Sequence, residues 1–135
     1  MSTRSRIGIE LADGSILSAY HHYDGYPTWL GNTLKEHFTT RADVAELIDG
    51  GDMSCCWSDT GFYPDKTKRA FGPLYYSERG EDCPPRYDAS LTDYLNNDPE
   101  EYAYIFNRMG EWVCYEIDWN TEKATLVDIR KPVAV

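Results

Sequence analysis

Between Ile7 and Leu11 apolar side chains alternate with Gly8 and Glu10, and the pair Asp13-Gly14 follows almost at once. Alternation with a period of two marks a strand with one buried face. Asp-Gly tolerates the positive φ angles of a tight reversal, so the chain is expected to open with a β-hairpin. Ile16 to His22 supplies the returning strand. With Asp13 and Gly14 as a two-residue loop, Leu11 faces Ile16, Ile9 faces Ser18 and Ile7 faces Tyr20. That register carries the face on to His22 and turns His21 to the opposite side.

A lone hairpin is marginal in water, so other elements must cover it. After Asp24-Gly25-Tyr26-Pro27 interrupts the strand, Leu30, Leu34 and Phe38 recur at helical spacing, with Thr28 as the expected cap. Thr40-Arg41-Ala42-Asp43 has the pattern of a second helix start; Val44, Leu47 and Ile48 form its apolar face and Gly50-Gly51 its end. Residues 52 to 73 show no sustained period and read as an ordered surface loop with aromatic anchors. Beyond them come a short strand at Leu74-Tyr75-Tyr76, a turn-rich stretch from Glu78 to Arg86, and a short helix through Leu91, Tyr94 and Leu95 capped by Ser90. Tyr102 to Phe106, Glu111 to Ile117 and Thr125 to Ile129 then read as an antiparallel meander.

Strands at both ends with helices between them predict an α+β fold. The sheet is expected to be mostly antiparallel, an N-terminal hairpin plus a C-terminal meander, with two to three helices packed on it. At 135 residues there is material for one core and too little for two, so a single domain spanning 1–135 is expected. Leu and Val are scarce, but 11 Tyr and 4 Trp supply large side chains to fill it.

Charge narrows the function. A formal net charge of −10 repels phosphates, so direct binding to nucleic acid is not expected. The same charge suits either simple solubility or occupation of a basic partner. From Glu78 to Asp118 the chain carries 11 acidic residues against three arginines, which makes this half the expected docking face, with Glu81, Asp82, Glu100 and Glu101 among its carboxylates. Of the four cysteines, Cys55 and Cys56 are adjacent, Cys83 precedes two prolines and Cys114 lies in a strand pattern, which suits a reduced cytoplasmic protein. No apolar run is long enough for a membrane span or a secretion signal, so a cytoplasmic location is expected and no membrane partner is expected.

The segment Tyr20-His21-His22-Tyr23-Asp24-Gly25-Tyr26-Pro27 concentrates imidazole, carboxylate and phenol groups where a strand meets a helix. His22, Tyr23, Asp24 and Tyr26 are therefore candidates for contact with a ligand or partner. The ordinary alternative is a polar turn whose Asp24 bonds its own backbone. No metal is expected, because neighbouring histidines on a strand point to opposite faces and no paired Cys-x-x-Cys or His-x-x-x-His spacing is present. Nor is a cofactor: phosphate-loop and dinucleotide fingerprints are absent, as is a Gly-x-Ser-x-Gly elbow. Trp57 can stack a base, and Arg79, set among Glu78, Glu81 and Asp82, can bind phosphate or carboxylate or pair with its neighbours.

The run His22-Tyr23-Asp24-Gly25-Tyr26-Pro27 after an opening hairpin resembles a group of small, mostly uncharacterised phage and prophage accessory proteins. The likeness continues through Leu30-Gly31, Leu47-Ile48, Gly51-Asp52-Met53-Ser54, Arg79-Gly80-Glu81 and Glu101-Tyr102-Ala103-Tyr104-Ile105-Phe106. The chain departs from that pattern at His21 and Tyr23, where Cys and Trp are expected, and at Cys56, where an aliphatic residue is usual. The resemblance implies a dispensable phage gene whose product binds a host defence component or its signal.

Three readings follow. The first is a non-catalytic binding protein, of the anti-CRISPR or related anti-defence kind, that inhibits a host protein through an acidic, Tyr-rich surface, the target being in one form a nucleic-acid-binding defence protein. The second is a pocket protein that sequesters a nucleotide-like signal. The third, a small hydrolase using His22 and Asp24, lacks a complete set of acid, base and nucleophile, so no catalytic residue is expected. A symmetric homodimer is the default assembly.

Overall fold

The computed structural model describes residues 3–58, 72–118 and 120–129. Its first hairpin joins β1 (Ser5–Glu10) to β2 (Ile16–His21) in antiparallel register, pairing Ile9 with Leu17, Ile7 with Ala19 and Ser5 with His21. The loop holds three residues, Ala12-Asp13-Gly14, rather than two. Leu11 N–H donates to Ser15 O at 2.8 Å and Gly14 N–H to Leu11 O at 3.0 Å, with Gly14 at φ +88°. A glycine in the left-handed conformation at the third position is what such a loop requires. The extra residue shifts the pairing by one from the register expected for a two-residue turn. Because side chains alternate, His21 joins the face of Ile7, Ile9 and Ala19, and Tyr20 and His22 belong to the opposite one.

Further strands are β3 (Met53–Ser58), β4 (Gly72–Tyr75), β5 (Arg86–Asp88), β6 (Tyr102–Phe106), β7 (Trp112–Ile117) and β8 (Ala124–Val127). They form one eight-stranded sheet in the order β4-β3-β2-β1-β6-β7-β8, with β5 also paired to β2. The parallel pairing of β1 with β6 splices the hairpin to the C-terminal meander. A second parallel contact joins β2 to β3, and the other pairings are antiparallel, so the sheet is mixed and mostly antiparallel in an α+β fold.

β3 occupies part of the stretch read from sequence as a loop. Its two register shifts against β4 break the period of two that would have revealed it. The remainder of that expected loop, 59–71, lies outside the described residues.

Helices cover both faces. After Tyr26, a π-helical turn (Pro27–Gly31) leads into α1 (Asn32–His37), and α2 (Arg41–Asp49) follows. Pro27 begins the turn one residue earlier than expected, so Thr28 lies inside it and does not cap it. Thr40 does cap α2, its Oγ1 accepting from Asp43 N–H at 3.1 Å. Leu30, Leu34, Val44, Leu47 and Ile48 are buried with Ile7, Ile9, Met53 and Tyr104 in the main core. On the other face α3 (Leu91–Asn96), capped by Ser90, buries Tyr94 with Ile16, Ala103 and Ile105.

The loop geometry generates a test. A Cβ on Gly14 meets nothing within 4 Å, so substitution there carries a conformational cost and no steric one. Gly14→Ala is expected to lower the urea unfolding free energy by about 1 kcal/mol, and Gly14→Asn by less, because Asn tolerates positive φ better. Equal stability of Gly14→Ala and the parent would contradict the loop.

Candidate functional site

The strand-to-helix corner is pinned along its backbone. His22 N–H donates to Met53 O at 3.2 Å, Tyr23 N–H to Ser54 O at 2.9 Å and Gly25 N–H to Thr3 O at 2.8 Å. Tyr104 Oη donates to Gly25 O at 2.7 Å. A Cβ on Gly25 would lie 2.7 Å from Ser5 Cβ and 2.8 Å from Thr3 O, so the close approach requires glycine. Asp24 turns the chain at φ +52°. This much of the motif has a structural role.

Its side chains divide by face. His21 is fully buried; its Nε2 accepts from Cys56 N–H at 3.0 Å, which places the ring proton on Nδ1. That Nδ1 has no partner among the described residues. Burial, and next the neighbouring His22, lower the His21 pKa to about 3, so the imidazole is neutral. His21 and Cys56 thus meet in the core. His22 Nδ1 lies 2.7 Å from Tyr20 Oη, and its ring stands edge-on to Tyr23 at 4.6 Å. The described contacts pair His22 with Tyr20 and not with Asp24. Tyr23 and Tyr26 are exposed.

A second constellation lies on α2. With Val44, Leu47 and Ile48 buried, the solvent edge carries Asp43, Glu46 and Asp49, three residues apart and therefore about 4.5 Å apart along the axis. Arg41, the cation of this helix, is tied to the ends of the hairpins: its Nη1 donates to Glu10 O at 3.0 Å and its Nη2 to Asn107 O at 3.1 Å. The acidic ridge stands between two grooves. One, of about 540 Å³, runs over Ile9, Leu11, Leu17 and Pro85. The other, of about 440 Å³, is walled by His37, Trp57, Pro73 and Tyr75, and Glu46 and Asp49 line both.

Trp57 stacks on His37 with ring centroids 3.8 Å apart and planes 12° apart, and Phe38 meets it edge-on. Tyr75 Oη donates to Leu47 O at 2.7 Å, fixing the opposite wall. Burial, and next the carboxylate of Glu46, push the Tyr75 hydroxyl pKa up, so the phenol remains a neutral donor. The groove thus has aromatic walls and a rim of carboxylates from Asp43, Glu46 and Asp49.

Of the residues expected from sequence, Trp57 lies in this groove. His22, Tyr23, Asp24 and Tyr26 share the corner, and Glu81 and Asp82 are exposed beyond the 3-10 turn at Tyr76–Arg79. The Arg79 side chain lies outside the described residues. Glu100 is half-buried, which raises its carboxyl pKa, and Glu101 uses its carbonyl to accept from Ile117 N–H.

The acidic stretch 78–118 does not form one face. Glu81 and Asp82 follow the edge strand β4, Glu116 lies on β7 towards the opposite edge, and Asp88 is buried against Arg86 at 2.9 Å. Asp43, Glu46 and Asp49 stand on the exposed side of α2, away from the apolar face that marks the helix in the sequence. The available signal was their i, i+3, i+6 spacing.

Among the described residues no group of three or more His, Cys, Asp or Glu is placed to hold a metal ion, and no helix is long and apolar enough to cross a membrane. Comparison with protein-family models, curated proteins and solved structures returns no match for this chain.

His21 makes stability depend on pH. Unfolded histidine protonates near 6.5 and the folded residue only near 3, so its contribution is complete above pH 6.5 and is lost as pH falls from there towards 3. Moving from about pH 7.5 to about pH 5 is expected to cost about 2 kcal/mol of unfolding free energy through this group. His21→Gln, which keeps an acceptor for Cys56 N–H, is expected to flatten that limb in urea titrations. An unchanged slope in the variant would contradict the assignment.

Proposed function

We propose that the chain is a non-catalytic binding protein that inhibits a basic, nucleic-acid-handling host protein, in the manner of anti-CRISPR and related phage anti-defence inhibitors. The observation that carries this reading is the α2 ridge: Asp43, Glu46 and Asp49 exposed in a row, with Arg41 engaged elsewhere and an aromatic groove alongside. The ridge offers a row of carboxylates to a partner's arginines and lysines, beside a groove whose walls are aromatic. The net charge of −10 adds long-range attraction that accelerates encounter with such a surface. The resemblance to phage accessory proteins supplies the biological setting.

Capture from host lysate at low and high salt addresses this reading, with a salt-sensitive protein partner as the expected result. Asp43→Asn combined with Glu46→Gln and Asp49→Asn is expected to weaken capture by about a hundredfold, since each lost charge contact at an interface costs about 1 kcal/mol. Glu111→Gln with Glu116→Gln and Glu122→Gln changes the net charge equally and is expected to leave most binding intact. Equal loss in the two triple variants would mean that bulk charge, and not the ridge, recruits the partner.

A further inference from the structure

Ile9, Leu17 and Tyr87 stand side by side on three neighbouring strands. Ile9 of β1 is paired with Leu17 of β2, and Leu17 with Tyr87 of β5. Paired residues of antiparallel strands point to the same face, so this row lies on the face that receives α2 and spans about 10 Å at the usual strand spacing. Exposure rises along it: Ile9 is 3% exposed, Leu17 is half-buried and Tyr87 is 58% exposed. Helix α2 therefore shields the inner end of the row and leaves the outer end open to water.

The groove of about 540 Å³ lies along this step, with Ile9, Leu11, Leu17 and Pro85 as an apolar floor and α2 as its wall. The wall presents Ala45, exposed between Arg41 and Asp49 at the four-residue spacing of one helix face, and the carboxylates of Glu46 and Asp49. Arg41 is the cation of this lining; its guanidinium is bonded to Glu10 O and Asn107 O, and eight residues place it about 12 Å along the axis from Asp49. Charge on the wall is thus segregated, with the cation at one end and the carboxylates at the other. An apolar floor inside a charged rim is the anatomy of a protein-binding surface.

We propose that this groove seats a large apolar side chain of the basic partner, with an adjacent arginine or lysine of the same segment held by Glu46 and Asp49. Such a seat depends on the α2 ridge being a docking surface and adds to it what charge alone does not supply. Exposed carboxylates attract any cationic surface and gain little from each contact. An apolar pocket distinguishes a segment with leucine or an aromatic residue beside its cations from one with cations alone. The occupant is complementary in both respects: its apolar side chain covers Leu17 and Tyr87, and its positive charge lies at the Asp49 end, away from Arg41. A second copy of this chain fits less well, since two copies at a net charge of −10 repel each other.

Two fluorescent peptides titrated against the full chain test this: a run of arginines interrupted by a leucine and a tryptophan, and the same peptide with alanine at those two positions. The first is expected to bind about tenfold tighter or more, the factor that burial of one large apolar side chain provides. In the isotopically labelled protein it is expected to shift the Leu11 and Leu17 methyls and the Tyr87 amide beyond any change the alanine peptide produces. Tyr87→Ser, at an exposed side chain, and Ala45→Phe, which fills the groove from the helix wall, are each expected to remove the preference and leave the affinity for the alanine peptide unchanged. Equal affinity of the two peptides, or a preference that survives both variants, overturns the groove; the ridge stands in that case if the alanine peptide still binds at residues 43 to 49. Binding by neither peptide overturns both. Dimerisation of the free chain that Tyr87→Ser abolishes would assign the groove to a second copy and overturn the proposed occupant.

Discussion

Leu11 and Ser15 close a three-residue loop, and the register they impose on β1 and β2 decides what later elements meet. With Ile7 opposite Ala19 and Ser5 opposite His21, one face of the hairpin is apolar and receives α1 and α2. The opposite face presents Arg6, Ser18 and Tyr20. A slip of one residue would bring Tyr20 and His22 to the face of Ile7 and Ile9 and move Ala19 and His21 to the face of Arg6. The ridge on α2 faces water because Val44, Leu47 and Ile48 have that apolar face to rest on.

Elements whose signal is local were legible in the sequence. The caps at Thr40 and Ser90 depend on residues three positions apart, and the structure has both bonds. The strands from Tyr102 onward are bounded by turn residues at Asn107 to Gly110 and around Asn120 that mark their ends. Features that depend on partners distant in sequence were hidden. β3 is irregular against β4, and its membership of the sheet rests on pairing with β2 and β4, which its composition does not announce. The hairpin itself was evident, but Asp-Gly fits both a two-residue turn and the end of a three-residue loop, so the pattern left its register undetermined.

The site shows the same division. The corner at His22 to Pro27 stood out because its composition is unusual, yet much of that composition serves to turn the chain under Tyr104 and beside Ser5. The carboxylates of α2 look ordinary in sequence, since acidic residues on the outer edge of a helix are common. They acquire meaning only when β3 and β4 bring Trp57 and Tyr75 alongside and Arg41 is seen to be occupied. Charge counted along the chain favoured the stretch from Glu78 to Asp118. Folding disperses that stretch across the sheet and buries Asp88.

Attraction between a cationic partner and the α2 ridge is the central functional claim, and residue-resolved mapping of an oligo-arginine peptide on the isotopically labelled protein tests it most directly. Shifts concentrated on residues 43 to 50, the Trp57 indole and Tyr75 are the expected result. A uniform response over all acidic segments, or one centred on Glu111 to Asp118, would contradict it.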